Sequence, residues 1–250
     1  MRCIAVTNQK GGAAKTTTTV NLGAALAERG RRVLLIDLDA QGNCTDWVGC
    51  PTDADGVFEL LTGSASVADV VRPTAFSGVD AIPATKALTG IERALAREMG
   101  AEMTLRRKLT SAPERWDYVL IDTPPTLGIL TLNALAAARE VIVPVAAHVL
   151  SLAGVAQVTE TIAMVRDRLN ADLKLAGIVA CRVDSRTRHC AEVVSSLREA
   201  FGSQVYATEI RENIRLAEAP SFKQSILDYS GSSPGAADYR ALAGDVIGQE

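Results

Sequence analysis

The sequence predicts a doubly wound α/β fold: a mostly parallel sheet with helices on both faces, in a single domain spanning residues 1–250. Three observations carry this. Two apolar runs, Val33–Asp37 and Asp117–Asp122, close on an acid and lack polar alternation, as expected for strands buried on both faces of a parallel sheet. Strand-like and helix-like stretches alternate to the end of the chain, the pattern of βαβ units. The first unit holds a glycine turn, Lys10-Gly11-Gly12-Ala13-Ala14-Lys15-Thr16-Thr17, between an apolar strand and a helix.

Composition agrees. Hydrophobic residues make up 48% of the 250 residues and aromatics only 4%, which suits Ala/Val/Leu helices packed on a sheet. No run of eighteen apolar residues occurs, so no membrane-spanning helix is expected. The chain passes at once into a strand without a leader-like segment, and a cytoplasmic location is predicted. The five cysteines include no C-x-x-C pair, which argues against a zinc or iron–sulfur site within one chain. A net charge of −3 means that any nucleic-acid contact must come from a local basic patch.

In order, Cys3–Val6 reads as a strand and Thr16–Arg29 as a helix ended by Gly30, with Arg29, Arg31 and Arg32 as a solvated cluster at its end. Val33–Asp37 is a buried strand. Short helices are expected at 57–61 and 67–71, a strand at 79–83, a helix at 91–99 and a basic amphipathic piece at 104–109. Residues 117–122 form the next strand, followed by a helix over 130–138 and a strand over 141–145. The longest periodic helix spans Ser151–Leu169, with Val155, Val158, Ile162 and Val165 on one face. A strand over 175–180 precedes a basic loop, Arg182–His189. Then come a helix over 191–201, a short strand over 205–207, an irregular charged segment over 210–223 and a closing helix over 234–247.

The glycine turn carries the chemistry. Backbone N–H groups of such a turn, with the positive end of the following helix, attract phosphate. Lys15 adds a point charge for terminal phosphates, and the Thr16 hydroxyl suits Mg²⁺, which takes oxygen ligands and is shared with nucleotide phosphates. The general G-x-x-x-x-G-K-[ST] pattern is not met: Gln9 and Ala14 replace its glycines, and a second lysine, Lys10, precedes the glycine pair. Ligands of open α/β sheets bind beyond the carboxyl ends of strands. Asp37 and Asp39 emerge there, and one of them can hold or orient an attacking water, with Gln41 placed to assist. Asp122 is placed to reach a metal shell, and Thr123-Pro124-Pro125 follows as a switch segment.

Asn8–Thr17, Ile36–Asn43 and Ile121–Pro125 together resemble the ParA/MinD (SIMIBI-class) group of P-loop ATPases, which carry a deviant Walker A loop. The likeness continues through Leu130–Leu135, Asp184-Ser185-Arg186-Thr187 and Ala217-Glu218-Ala219-Pro220-Ser221, and is greatest to the short ParA/Soj-type partition ATPases. The resemblance implies ATP and Mg²⁺ as cofactors. It implies that Gly11, Gly12, Ala13, Ala14, Lys15, Thr16, Thr17 and Pro220 bind the nucleotide. Lys10 is then the signature lysine that reaches the partner's phosphates across an ATP-dependent homodimer. Asp39 and Asp122 are the acids of hydrolysis and, with Thr16, of the metal site. It further implies sequence-independent DNA binding and hydrolysis stimulated by a ParB-like protein. Arg186, Arg188, Arg211, Arg215 and Lys223 are the candidates for contacts to DNA phosphates.

Two positions depart from the group's pattern. Ala14 stands where glycine is usual, and a backbone of positive φ there costs an alanine ~1–2 kcal/mol. Ala40 stands where proline is usual. Alternatives are a MinD-like or protein-cargo-positioning ATPase, a cluster carrier on the same fold, and a nucleotide-bound adaptor that scarcely hydrolyses. A membrane-surface helix is not expected at the C-terminus, where Arg240 stands alone against Asp238 and Asp245.

Overall fold

The structure is a computed structural model and describes residues 1–147 and 152–250. Strands β1 (Arg2–Val6), β2 (Val33–Asp37), β3 (Arg72–Pro73), β4 (Val79–Ile82), β5 (Tyr118–Asp122), β6 (Glu140–Ala146), β7 (Lys174–Val183) and β8 (Ile210–Arg211) form one sheet. Their spatial order is β3-β4-β2-β5-β1-β6-β7-β8. Among the described residues only β3 is antiparallel to its neighbour. β1 lies between β5 and β6, so the chain winds away from it in both directions. The reversal opens a crevice at the carboxyl ends of the strands, where ligands of such sheets bind.

The strands are apolar throughout because both faces are covered. Along β1, β2 and β5, residues alternate between two cores: Cys3, Ala5, Leu34, Ile36, Val119 and Ile121 join one, and Ile4, Val33, Leu35, Tyr118 and Leu120 the other. The first core is covered by α3 (Val57–Thr62), α4 (Val67–Val70), α5 (Ile91–Leu95), α6 (Thr104–Thr110), α7 (Ile129–Ala137), α8 (Leu152–Arg168) and α9 (Arg188–Phe201). The second is covered by α1 (Lys15–Glu28), α2 (Asn43–Trp47), α11 (Ile226–Tyr229) and α12 (Pro234–Ile247). One helix more, α10 (Ile214–Glu218), sits beyond the end of β8.

α12 packs along α1, and its Tyr239, Leu242 and Val246 are fully buried. Burying side chains of this size stabilises by roughly 1.5–3 kcal/mol each. The apolar face of the closing helix is thus consumed inside the fold. No helix of the described residues is long and apolar enough to cross a membrane.

Several boundaries differ from the sequence expectation. β7 runs on to Val183, and α9 starts at Arg188, where the Thr187 hydroxyl caps it by accepting from the Cys190 N–H. The expected Arg182–His189 loop is therefore only the turn 184–187. At 205–207 there is a single bridge, Val205 to Ile178, not a strand. The edge strand lies instead inside the segment read as irregular: β8 pairs with β7, α10 follows, and a 3₁₀ turn spans Ala219–Phe222. Charged residues hid this strand because only Ile210 of the pair faces the core. The helix expected over 91–99 is α5 alone, preceded by a 3₁₀ turn at Lys86–Gly90. The expected start of α8 at Ser151 lies outside the described residues.

Candidate nucleotide site

The glycine turn joins β1 to α1 at the crevice. Gly12 has φ 72° and Ala14 has φ 68°, ψ 27°, the left-handed conformation. Ala14 is therefore a strained residue. A Cβ placed on Gly11 or Gly12 meets no protein atom within 4 Å. Internal packing thus demands neither glycine, and the turn leaves room on its outer side for a ligand. The Asn8 side chain ties the turn down: its carbonyl accepts from the Lys10 N–H at 3.0 Å, and its amide donates to Pro144 O at 2.8 Å.

The two lysines are placed differently. Lys15 is 8% exposed, and its Nζ donates back across the turn to Lys10 O at 3.4 Å. Burial lowers its pKa, against the fields of Asp122 and Asp39. Lys10 is exposed. One loop thus carries one buried ammonium and one exposed lysine.

The Thr16 hydroxyl donates to Asp122 Oδ2 at 2.7 Å, and Thr19 donates to the other carboxylate oxygen at 3.3 Å. Asp122 is fully buried. Burial, then Asp37 beside it in the register of β2 and β5, pushes its pKa up to about 8. Thr16 and Asp122 fit a hard divalent cation, since both offer oxygen. Among the described residues no group of three His, Cys, Asp or Glu side chains assembles to hold a metal alone.

Asp37 and Asp39 divide their roles. Asp37 is buried, and its Oδ2 accepts from both the N–H and the hydroxyl of Thr45, at 2.8 and 2.7 Å. Its Oδ1 accepts from the Asp39 N–H at 3.0 Å. Burial pushes its pKa up to about 6, and these bonds oppose the rise. Asp37 is thus an internal anchor of the turn, not a group for water. Asp39 is half-exposed and accepts from the Gln41 N–H at 3.0 Å, so of the two it is the one able to meet a ligand.

Beside the turn lies a cavity of about 510 Å³, lined by Gly12, Ala14 and Thr17 at one end. Its other walls come from the ends of β7 and β8, from α10 and from Tyr239. Of these residues the sequence points to Arg211 and, within the Ala217–Ser221 motif, to the neighbourhood of Ala217, while no local motif marks Arg182 or Glu212 as cavity-lining. Pro220 is half-buried in the 3₁₀ turn, and Ala217 reaches the cavity in its stead.

Each of the five basic candidates has a carboxylate partner in the chain. Arg186 meets Asp184 at 2.8 Å, Arg188 meets Glu192 at 2.8 Å, Arg215 meets Glu218 at 2.9 Å and Lys223 meets Asp46 at 3.3 Å. Arg211 differs. Its N–H and its guanidinium both donate to Asp238, whose carboxylate is 9% exposed, so it clamps β8 to α12.

Comparison with known proteins agrees with this geometry. The AAA_31 family, described as an AAA domain, matches residues 1–175. The sporulation initiation inhibitor protein Soj of Bacillus subtilis is 42% identical over 247 residues, covering 98% of each chain. This chain belongs to the ParA/MinD group of P-loop ATPases. The chromosome-partitioning ATPase Soj of Thermus thermophilus is 47% identical to this ParA-type chain, covering 99% of it and 96% of the relative. Among solved structures, a cobyrinic acid a,c-diamide synthase from Mycobacterium smegmatis with bound ADP and magnesium is 38% identical. It superposes with a TM-score of 0.87, covering 99% of this chain and 94% of that one. The MinD cell division ATPase of Pyrococcus furiosus is 25% identical with a TM-score of 0.81, covering 100% and 99%.

Proposed function

We propose that this ParA-type ATPase binds ATP with Mg²⁺, pairs with a second copy around two nucleotides, and holds DNA without sequence preference until a ParB-like partner stimulates hydrolysis. It works in the cytoplasm on the nucleoid, moving or positioning a chromosome, plasmid or other cargo. The observation that supports this best is the pair of lysines on one turn, Lys15 buried beside Asp122 and Lys10 exposed.

The residues divide the work. Turn N–H groups and Lys15 bind the phosphates, and Thr17 lies where the cavity meets the turn. Thr16 and Asp122 would hold Mg²⁺, which neutralises charge on the terminal phosphates. A cation there keeps Asp122 ionised against its burial. Asp39 orients the attacking water. Lys10 neutralises phosphate on the partner copy, so pairing depends on ATP, and loss of a phosphate loosens it.

A DNA-binding titration with ATP, with ADP and without nucleotide tests this. Retention is expected with ATP alone and is lost in high salt, as phosphate contacts require. Equal retention in all three states would refute the switch. Lys10→Ala should abolish the ATP-dependent dimer in light scattering; an unchanged dimer removes Lys10 from the interface.

A further inference from the structure

We propose that Arg182 sets base selectivity in the nucleotide cavity, presenting its guanidinium plane to a purine ring, with Glu212 as the positioning residue. This rests on the nucleotide reading above. The first observation is backbone strain. Arg182 has φ 54°, the left-handed region, inside β7. Such a conformation is unfavourable for a long side chain and persists where the surrounding structure imposes it, which concentrates it at ligand sites.

The second observation is the register. β7 pairs Cys181 with Ile210 and Val183 with Arg211, so Arg182 is an extra residue on its strand, a bulge. Bulges re-aim a side chain next to a site. Here the neighbours Cys181 and Val183 stay buried in the cores, while Arg182 is exposed and lines the cavity.

The third observation is the pairing. The Arg182 guanidinium meets Glu212 Oε1 at 3.1 Å, and the Glu212 N–H donates to Val183 O at 3.0 Å, which fixes Glu212 to the same bulge. Both residues line the cavity, together with apolar Ile214, Leu216 and Ala217. A planar cation held by one carboxylate, in a cavity whose lining also includes apolar Ile210, Ile214, Leu216 and Ala217 beside polar Arg211 and Asn213, suits a flat heteroaromatic ring with polar edges. Guanidinium planes stack on such rings, and an ammonium does not replace them. The phosphates occupy the Gly12–Thr17 end, so the base reaches the Arg182 end.

The experiment measures equilibrium affinities for fluorescently labelled ATP and CTP by titration, alongside thermal melts. For Arg182→Ala, ATP affinity is expected to fall roughly tenfold, the size of one stacking contact, with CTP affinity falling less. The ATP-to-CTP ratio then collapses. Arg182→Lys should lose the ratio as well, because it keeps the charge without the plane. Arg182→Gly should lose it while melting no lower than Arg182→Ala, since glycine accepts the bulge conformation freely. A folded Arg182→Gly or Arg182→Ala that keeps the wild-type ratio overturns the proposal, as does full retention by Arg182→Lys. If the wild-type protein itself binds no triphosphate, the nucleotide reading falls instead.

Discussion

Replacing Ala14 by glycine tests the strain in the turn directly. Ala14 sits at φ 68°, ψ 27°, immediately before α1, and its methyl borders the cavity. The left-handed conformation costs a non-glycine residue ~1–2 kcal/mol. Glycine gives back roughly 0.4–1 kcal/mol through its freer unfolded chain. The net gain for Ala14→Gly is therefore roughly 0.5–1 kcal/mol of stability. For a chain of this size that is a rise in Tm of about 1–4 °C. Ala13 is the control: it is 3% exposed and is not among the residues of positive φ. Ala13→Gly loses a buried methyl and gains unfolded freedom, for a loss of roughly 1 kcal/mol. Thermal melts of the two variants should move in opposite directions. Steady-state ATP turnover adds a second readout: under the proposed function, removing the Ala14 methyl widens the cavity beside the turn and should raise the rate. An Ala14→Gly variant that melts at or below wild type, level with Ala13→Gly, refutes the argument from strain.

Other outcomes follow from the same geometry. Thr45→Val keeps the shape but removes the hydroxyl that donates to Asp37 and accepts from the Ala84 N–H at 2.9 Å. Leaving both buried groups short should lower stability by roughly 2–4 kcal/mol in urea unfolding, and a loss under 1 kcal/mol would mean that the turn after β2 is anchored elsewhere. Arg211→Ala should cost about 2 kcal/mol by stranding the Asp238 carboxylate, with Arg211→Ala/Asp238→Asn recovering part of it. Arg188→Ala, whose pair is 93% and 59% exposed, should cost under about 0.5 kcal/mol. Asp184 is held down to about 2, first by the Arg186 side chain and then by its N–H. A carboxyl lowered on folding stabilises above its unfolded value and loses that contribution as pH falls toward 2. Carboxyl NMR of wild type and Arg186→Ala should show the Asp184 midpoint rising in the variant, and an unmoved midpoint would deny the pair.

How much was legible beforehand can be judged residue by residue. Strands β1, β2 and β5 were readable because burial on both faces leaves an unbroken apolar run, and each of β2 and β5 ends on an acid. The turn from Lys10 to Thr17 was readable because glycine, lysine and threonine have few other reasons to stand together between a strand and a helix. The sequence leaves open which of Asp37 and Asp39 meets water, and the bonds of Asp37 to Thr45 make it the anchor. Its neighbour in sequence, Asp39, keeps the open position. Nothing local distinguishes the two, since eight residues of chain separate Asp37 from its partner.

The chain alone determined the parallel sheet, the glycine turn and the set of charged residues after β2 and β5, because each depends on neighbours within a few positions. Tertiary structure alone decided which strand closes the edge, that Arg182 carries a left-handed backbone, and that Arg211 serves Asp238. Backbone angle and ion-pair choice are set by packing between segments distant in the chain. The cavity wall is likewise a meeting of β7, β8, α10 and Tyr239, which no single stretch of sequence encodes.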